Sequence, residues 1–261
     1  MAGTSPPIQD LSRFLRRLEW RNRLSEDARA AILAIVPDVV SVPAGRDIVK
    51  PGQTVDHACL VEQGVVGRYE RFRDGTRRTT MLYLPGDMAD LHSIAFPTAT
   101  WGLAAQSDTT VFKVAHDALA HLQLTMPQIA LAFWRDTTAD ASMFSKWVSV
   151  LGRHQAHQRL AHLLCEFGLR MELAGVGSRD QFRLPISQAS LAEVLGVTST
   201  HVVRIFAMLR RDGLIATTRR SIQVIDRTRL EDVAEFDPGY LLLEQQPDSP
   251  ISRWEARHRA N

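Results

Sequence analysis

The chain of 261 residues predicts an α+β protein in which a β-roll, one long helix and a C-terminal winged helix-turn-helix follow one another. Three observations predict this. Glycine-centred turns recur at Gly45, Gly52, Gly64, Gly75 and Gly86, at intervals of 7, 12, 11 and 11 residues, the rhythm of short antiparallel strands. Ala130, Trp134, Thr137, Ala141, Phe144, Val148 and Leu151 then repeat at alternating spacings of 4 and 3, a heptad seam. Finally, two short helical runs meet at Gly196, and the second ends in a basic cluster.

Taken in order, residues 1–20 read as a polar tail and the start of a helix, and helical spacing continues to about residue 35, where Pro37 closes it. Residues 21–126 hold the roll, a double-stranded β-helix of cupin-like type. Its strands are ACLVEQ, VVGRYERF, TTMLYL and TTVFKVA, with Asp74-Gly75 as a hairpin turn. Pro127 suits the first position of a helix over 127–153, where its missing N–H costs nothing. The seam on this helix has two readings, packing on the chain's own roll or pairing with a second copy. The second makes Trp134, Thr137, Ala141, Phe144, Val148 and Leu151 dimer-interface residues. Residues 154–230 form the helix-turn-helix unit, and 231–261 read as a C-terminal tail, peripheral or disordered from about Phe236.

With Gln188 as the first position of a helix-turn-helix, the apolar positions fall on Leu191, Leu195, Val197, Val202 and Ile205. The small position is Ala192, and the turn position that wants positive φ is Gly196. Ser187 and Thr198 are placed to cap the two helices. Residues 199–229 carry seven arginines against two aspartates, a local net charge of +5 where the whole chain has only +2. A basic patch confined to this motif is what neutralising phosphates requires. The candidate DNA-contacting residues are Ser187 and Gln188, then Ser199, Thr200, His201 and Arg204 on the second helix. Arg219 and Arg220 join them at the tip of a hairpin wing over 217–223. Arg204 suits a bidentate contact to guanine.

This arrangement resembles the Crp/Fnr family of bacterial transcription regulators over roughly residues 20–230. ISQASLAEVLGVTSTHVVRIFAMLRRDGLI (186–215) is similar to the family's DNA-binding signature, and GQTVDHACLVEQGVVGRYERFRDGTRRTTMLYLPGDM carries its turn glycines. The resemblance implies a homodimer joined along the long helix, a near-palindromic double-stranded DNA site and contact with RNA polymerase. Three departures stand out. Asp90-Leu91 replace the Gly-Glu pair of cyclic-nucleotide-binding members, and Ala99-Thr100 replace their Arg-Ser pair. Without that arginine a cyclic phosphate lacks a charge-assisted partner, and Asp90 is expected to repel it, so neither cyclic AMP nor cyclic GMP is expected as ligand. In the recognition helix, Ser199-Thr200 stand where the cyclic-AMP receptor has Arg-Glu, while Arg204 matches the family arginine.

The two cysteines, Cys59 and Cys165, form no CxxC pair, and the oxygen-sensing members' N-terminal cluster is missing, so no iron–sulfur or structural zinc site is expected. Cys165 reads as a small core residue. His154, His157 and His162 read as solvent-facing or interface histidines rather than metal ligands, and His92 as an exposed loop histidine. Trp101, Phe96 and Met88 suit either an apolar effector pocket or the core. The N-terminus lacks a secretory leader and the longest apolar run is broken by Pro37 and Asp38, so a soluble, cytoplasmic protein with no membrane partner is expected. The functional expectation is a sequence-specific, homodimeric DNA-binding regulator with an unidentified or absent small-molecule effector, and no catalytic residues. The alternatives are a regulator gated by haem or another ligand in the roll, and a cupin-like metalloenzyme. The last needs an HxH pair, and residues 40–115 hold only His57 and His92.

Overall fold

The structure, a computed structural model, describes residues 10–243. Two antiparallel sheets make the roll. In one, β1 (Asp38–Val42), β7 (Thr109–Ala115) and β3 (His57–Gln63) lie in the order β1-β7-β3. In the other, β2 (Asp47–Val49), β6 (Gly102–Ala105), β4 (Val66–Arg71) and β5 (Arg77–Tyr83) lie in the order β2-β6-β4-β5. The strand runs read from the sequence appear here within a residue or two. The short β1, β2 and β6, of three to five residues, carry too little periodicity to register in the sequence.

The sheet β1-β7-β3 is covered on both faces, which is why ACLV does not alternate. Cys59, Val61 and Val111 point into the roll with Val66, Met81, Tyr83 and Leu103. Ala58, Leu60, Phe112 and Val114 point outward under helix α1 (Ser12–Glu19) and the start of the long helix, meeting Leu11, Phe14, Leu18 and Phe133. The helical region expected up to Pro37 is in fact two helices, α1 and α2 (Glu26–Leu33), the second capped by Ser25. Helix α3 (His116–Thr125), not foreseen, leads into α4 (Pro127–Arg153), whose 27 residues start on Pro127 as expected.

Helix α4 buries Ile129, Phe133, Asp136, Ala139, Met143, Trp147 and Val150 against its own chain. The heptad seam lies on the other side: Trp134 is 64% and Val148 60% exposed, Thr137, Ala141 and Phe144 are exposed, and Leu151 is half-buried. Helix α5 (Ala156–Leu173) follows, opened by a capping box from Gln155. His154 and His162 are buried rather than solvent-facing; His162 is 0% exposed, between Trp147, Phe236 and Tyr240. Burial lowers its imidazole pKa to about 4, so it stays neutral. The described residues end with α8 (Arg227–Ala234) and a 3-10 turn, Pro238–Leu241, packed on α4 and α5. Within 236–243, expected to be peripheral, Leu241 is therefore in the core with Phe236, Tyr240 and Leu243 packed against it, while Asp237, Pro238 and Gly239 stay exposed; residues 1–9 and 244–261 lie outside the described residues.

A buried charge network joins these layers. Asp87, in the Gly86-Asp87 turn, accepts from Arg17 of α1 on one oxygen and from Arg170 of α5 on the other. Arg17 also donates to Asp136 and Asp140 of α4, each at 2.8 Å, and Arg170 to Glu166 at 2.8 Å. Burial opposes the charge on Asp87, but Arg17 and Arg170 outweigh it and hold the carboxyl below its ordinary range. Asp87→Asn leaves two buried guanidinium groups short of charge and is expected to cost about 3–5 kcal/mol in chemical denaturation. A depressed carboxyl contributes stability that is present above its unfolded pKa and lost as pH falls through the folded value. The gap between variant and wild type should therefore be widest near neutral pH and shrink in acid.

Candidate nucleic-acid interface

Helix α6 (Gln188–Leu195) begins at Ser187, whose hydroxyl accepts from the Ser190 N–H at 3.1 Å, and ends at Gly196 in the left-handed region at φ 66°. Any side chain there would be strained in φ and would also meet Arg78. Thr198 caps α7 (Ser199–Arg211) by accepting from the His201 N–H at 3.3 Å. The axes of the two helices turn by 91°, within the range of a helix-turn-helix. Val202, Ile205 and Leu209 of α7 are buried with Leu191, Ala192 and Leu195 of α6, as the template requires. Val197 packs half-buried beside them.

All eight candidate DNA-contacting residues are exposed. Ser199, Thr200, His201 and Arg204 share the outward face of α7, and Ser187 and Gln188 open α6. The wing is the hairpin of β9 (Ile215–Thr218) and β10 (Ser221–Val224), with Arg219 at its tip at φ 54° and Arg220 beside it. A third strand, β8 (Gln181–Arg183), pairs with β10 and was not read from the sequence. The local excess of charge is smaller than the sequence count suggests. Arg227 is tied to Asp180, Arg229 to Asp226 and Arg211 to Asp212. Among the described residues, Arg204, Arg210, Arg219 and Arg220 form no ion pair, Arg210 donating only to Thr217 at 3.0 Å, so the reading helix and the wing tip hold uncommitted positive charge.

Several residues near the motif escaped sequence reasoning. Gln155 and His157, at the start of α5, line a groove of about 690 Å³ with Thr200, His201 and Arg204. Arg159 donates to the carbonyls of Leu151 (2.8 Å), His154 (2.8 Å) and Leu195 (3.0 Å), joining the end of α4 to the end of α6. From the roll, Thr79 donates to Glu193 of α6 at 3.1 Å. The Arg159–Leu195 and Thr79–Glu193 contacts join residues 36 and 114 apart, and no local pattern announces them.

A second cleft, about 450 Å³, lies between the roll and α4, lined by Arg68, Tyr83, His92, Trp101, Asp140 and Phe144. The Arg68 guanidinium lies 4.6 Å from the Trp101 ring and 4.7 Å from the Phe144 ring. His92 is half-buried, not an exposed loop residue, with its ring 4.8 Å from Trp101, and burial followed by Arg68 keeps its pKa low. Phe96 is 74% exposed and Met88 sits in the core, so of the three apolar candidates Trp101 alone lines the cleft. Asp90 does not face it as a repelling charge. Its carboxylate turns into the roll and accepts from the Cys59 N–H at 2.6 Å, and burial raises its pKa to about 6. Among the described residues, no three His, Cys, Asp or Glu side chains gather in a way that would hold a metal, and no single helix is long and apolar enough to cross a membrane.

Residues 39–125 match the cyclic nucleotide-binding domain family and residues 158–233 the Crp-like helix-turn-helix domain family. The chain is 25% identical over 201 residues to the transcriptional activator protein FnrL of Cereibacter sphaeroides, covering 76% of this chain and 80% of that protein. It is 28% identical over 174 residues to the nitrogen fixation regulation protein FixK of Bradyrhizobium diazoefficiens, covering 67% and 72%. Among solved structures, FixK2 from Bradyrhizobium japonicum superposes with a TM-score of 0.66 at 24% identity, over 76% of this chain and 98% of that one. A putative cAMP-binding regulatory protein from Silicibacter pomeroyi gives 0.60 at 17% identity, over 87% and 99%. Both structural likenesses concern the fold. With its roll, its long helix and an exposed reading helix in the right order, the chain belongs to the Crp/Fnr family of transcription regulators.

Proposed function

We propose that this regulator acts in the cytoplasm as a homodimer on a near-palindromic operator, with α7 in the major groove and the wing along the backbone. One observation carries the reading: α7 buries Val202, Ile205 and Leu209 against the unit's core and leaves Ser199, Thr200, His201 and Arg204 in solvent. A polar outer face with an arginine free of any ion pair is what a recognition helix presents to base edges. Trp134, Thr137, Ala141, Phe144, Val148 and Leu151 would form the dimer seam. Their support is that α4 already satisfies its own chain with the opposite face, leaving large apolar side chains uncovered. Ser187, Gln188, Arg219 and Arg220 would contact the phosphates flanking the base-reading set, and RNA polymerase would be the protein partner at the promoter.

The cleft beside α4 favours a second feature, gating by a small ligand that exploits Arg68 and the two aromatic rings. A cyclic nucleotide is not the ligand we favour, because Ala99 and Thr100 supply no phosphate-binding arginine. Asp90, turned into the roll, neither repels nor holds a ligand in the cleft. Haem on His92 has less support than a small planar or anionic ligand, since that ring is already packed on Trp101.

On an operator selected with the wild-type protein, Arg204→Ala should lose about 1–3 kcal/mol of specific binding while non-specific binding changes little. Footprinting indistinguishable from wild type would remove Arg204 from the base-reading set. For Arg219→Ala the loss should be equal on all sequences, with the salt slope shallower by about 1; an unaltered slope would take the wing tip off the phosphates. Val148→Glu places a charge in the seam, and sedimentation should then report monomers with weak operator binding. Unperturbed dimers would place the subunit interface elsewhere.

A further inference from the structure

The last described residues, 236–243, lie beyond both matched domains, as does α1. The structure nevertheless brings these two ends of the chain together on α4. Arg21, just past α1, donates its Nε (3.2 Å) and Nη2 (2.6 Å) to the carbonyl of Leu241 and its Nη1 to Asp136 of α4 at 3.2 Å. Leu241 is buried in the roll-side core with Met143 of α4. One residue earlier, the Tyr240 ring stacks on His162 of α5 with centroids 5.7 Å apart, and the Lys146 ammonium of α4 lies 5.6 Å from its centre. The Tyr240 hydroxyl donates to Glu166 at 2.7 Å, the carboxylate that also receives the Trp147 indole N–H at 2.9 Å.

So a segment leaving the DNA-binding unit through α8 returns to the dimer helix, with Tyr240 against α5 and Lys146 of α4 and Leu241 against Arg21 and the core between α4 and α5. An element that spans two units in this way resists their relative rotation. It adds to that junction the Tyr240–Glu166 and Arg21–Leu241 hydrogen bonds and a buried leucine. We propose that residues 236–243 are a positioning clamp: Tyr240 and Leu241 hold the DNA-binding unit at one angle to α4, so that the two reading helices of a dimer meet the operator at one half-site separation. The clamp rests on the dimeric DNA-binding reading above. Tyr240 and Arg21 are positioning residues within it, since neither is among the residues that face DNA.

The test uses the full chain. An operator is first selected from random duplex DNA with the wild-type protein. Binding is then measured on that operator and on versions with one or two base pairs inserted or removed between the half-sites. Wild type should lose on the order of tenfold or more in affinity on the altered spacings. Tyr240→Ala should bind the original spacing more weakly and discriminate between spacings by no more than about threefold, with half-site sequence preference unchanged. Tyr240→Phe keeps the ring on His162 and Lys146 and should stay within about twofold of wild type in discrimination. If Tyr240→Ala does not fold, Arg21→Gln carries the same expectation. Amide hydrogen exchange on the same proteins without DNA should show faster exchange across the junction of α4 and α5 in the weakened variants. Unchanged spacing discrimination, or unchanged exchange at that junction, in a folded variant overturns the clamp. Failure of the wild type to select any duplex overturns the DNA-binding reading instead, and exchange at the junction still judges the clamp.

Discussion

Asp87 is a fully buried carboxylate shared by two arginines, one from the first helix and one from the helix that begins the DNA-binding unit. Burying a charge is tolerable only when its partners are fixed and the surplus hydrogen-bonding capacity is used. The first condition is met by extension, and the second except at the buried Arg170 Nε, which has no partner. Arg17 reaches Asp136 and Asp140 on the long helix, Arg170 reaches Glu166 and the Leu82 carbonyl, and the Leu84 N–H closes on Asp87 itself at 2.7 Å. Asp140, 19% exposed at the edge of the cleft, is where the network comes nearest to solvent, and burial raises its pKa despite Arg17. Such networks contribute less to net stability than their number of contacts suggests. Their geometric demand is severe, however, and α1, the roll, α4 and α5 have to meet in one arrangement for it to be satisfied.

That arrangement governs how the reading helix is presented. The turn at Gly196 is approached from both sides, by Arg78 of the roll and by Arg159 of α5. Arg159 binds carbonyls at the ends of α4 and α6 together. Any motion of the roll against α4, including one caused by a ligand in the cleft that holds Arg68, is therefore coupled by direct contacts to the base of the helix-turn-helix. The uncovered seam of α4 would set the distance between two such units, and the network inside each subunit would set their angle.

Much of the candidate site was legible because it depends on short-range requirements. Gly196, Ala192, the two caps and the apolar positions of α6 and α7 answer to steric and hydrogen-bonding rules acting over a few residues, and the same rules leave Arg204 outward. The basic count was legible but overstated. Arg227 sits in the favourable window by sequence yet is neutralised by Asp180, 47 residues away and brought near by β8 and α8. His154 and His162 were misread for the same reason. Helical spacing tells which residues share a face, but it does not tell which face another element covers, and here Phe236 and Tyr240 cover it.

By itself the sequence determined the succession of roll, long helix and helix-turn-helix, the rhythm of the longer strands, the start of the long helix at Pro127 and the polar outer face of the second motif helix. Each of these is encoded in local periodicity and in turn, capping or positive-φ chemistry. Only the tertiary structure decided that Asp90 turns inward to Cys59, that Arg68 lies between Trp101 and Phe144, and that residues 236–243 return to Arg21 and α4. Those outcomes depend on which distant side chains share a buried volume and must satisfy one another's charge and hydrogen bonds there. Spacing along the chain carries no record of that requirement.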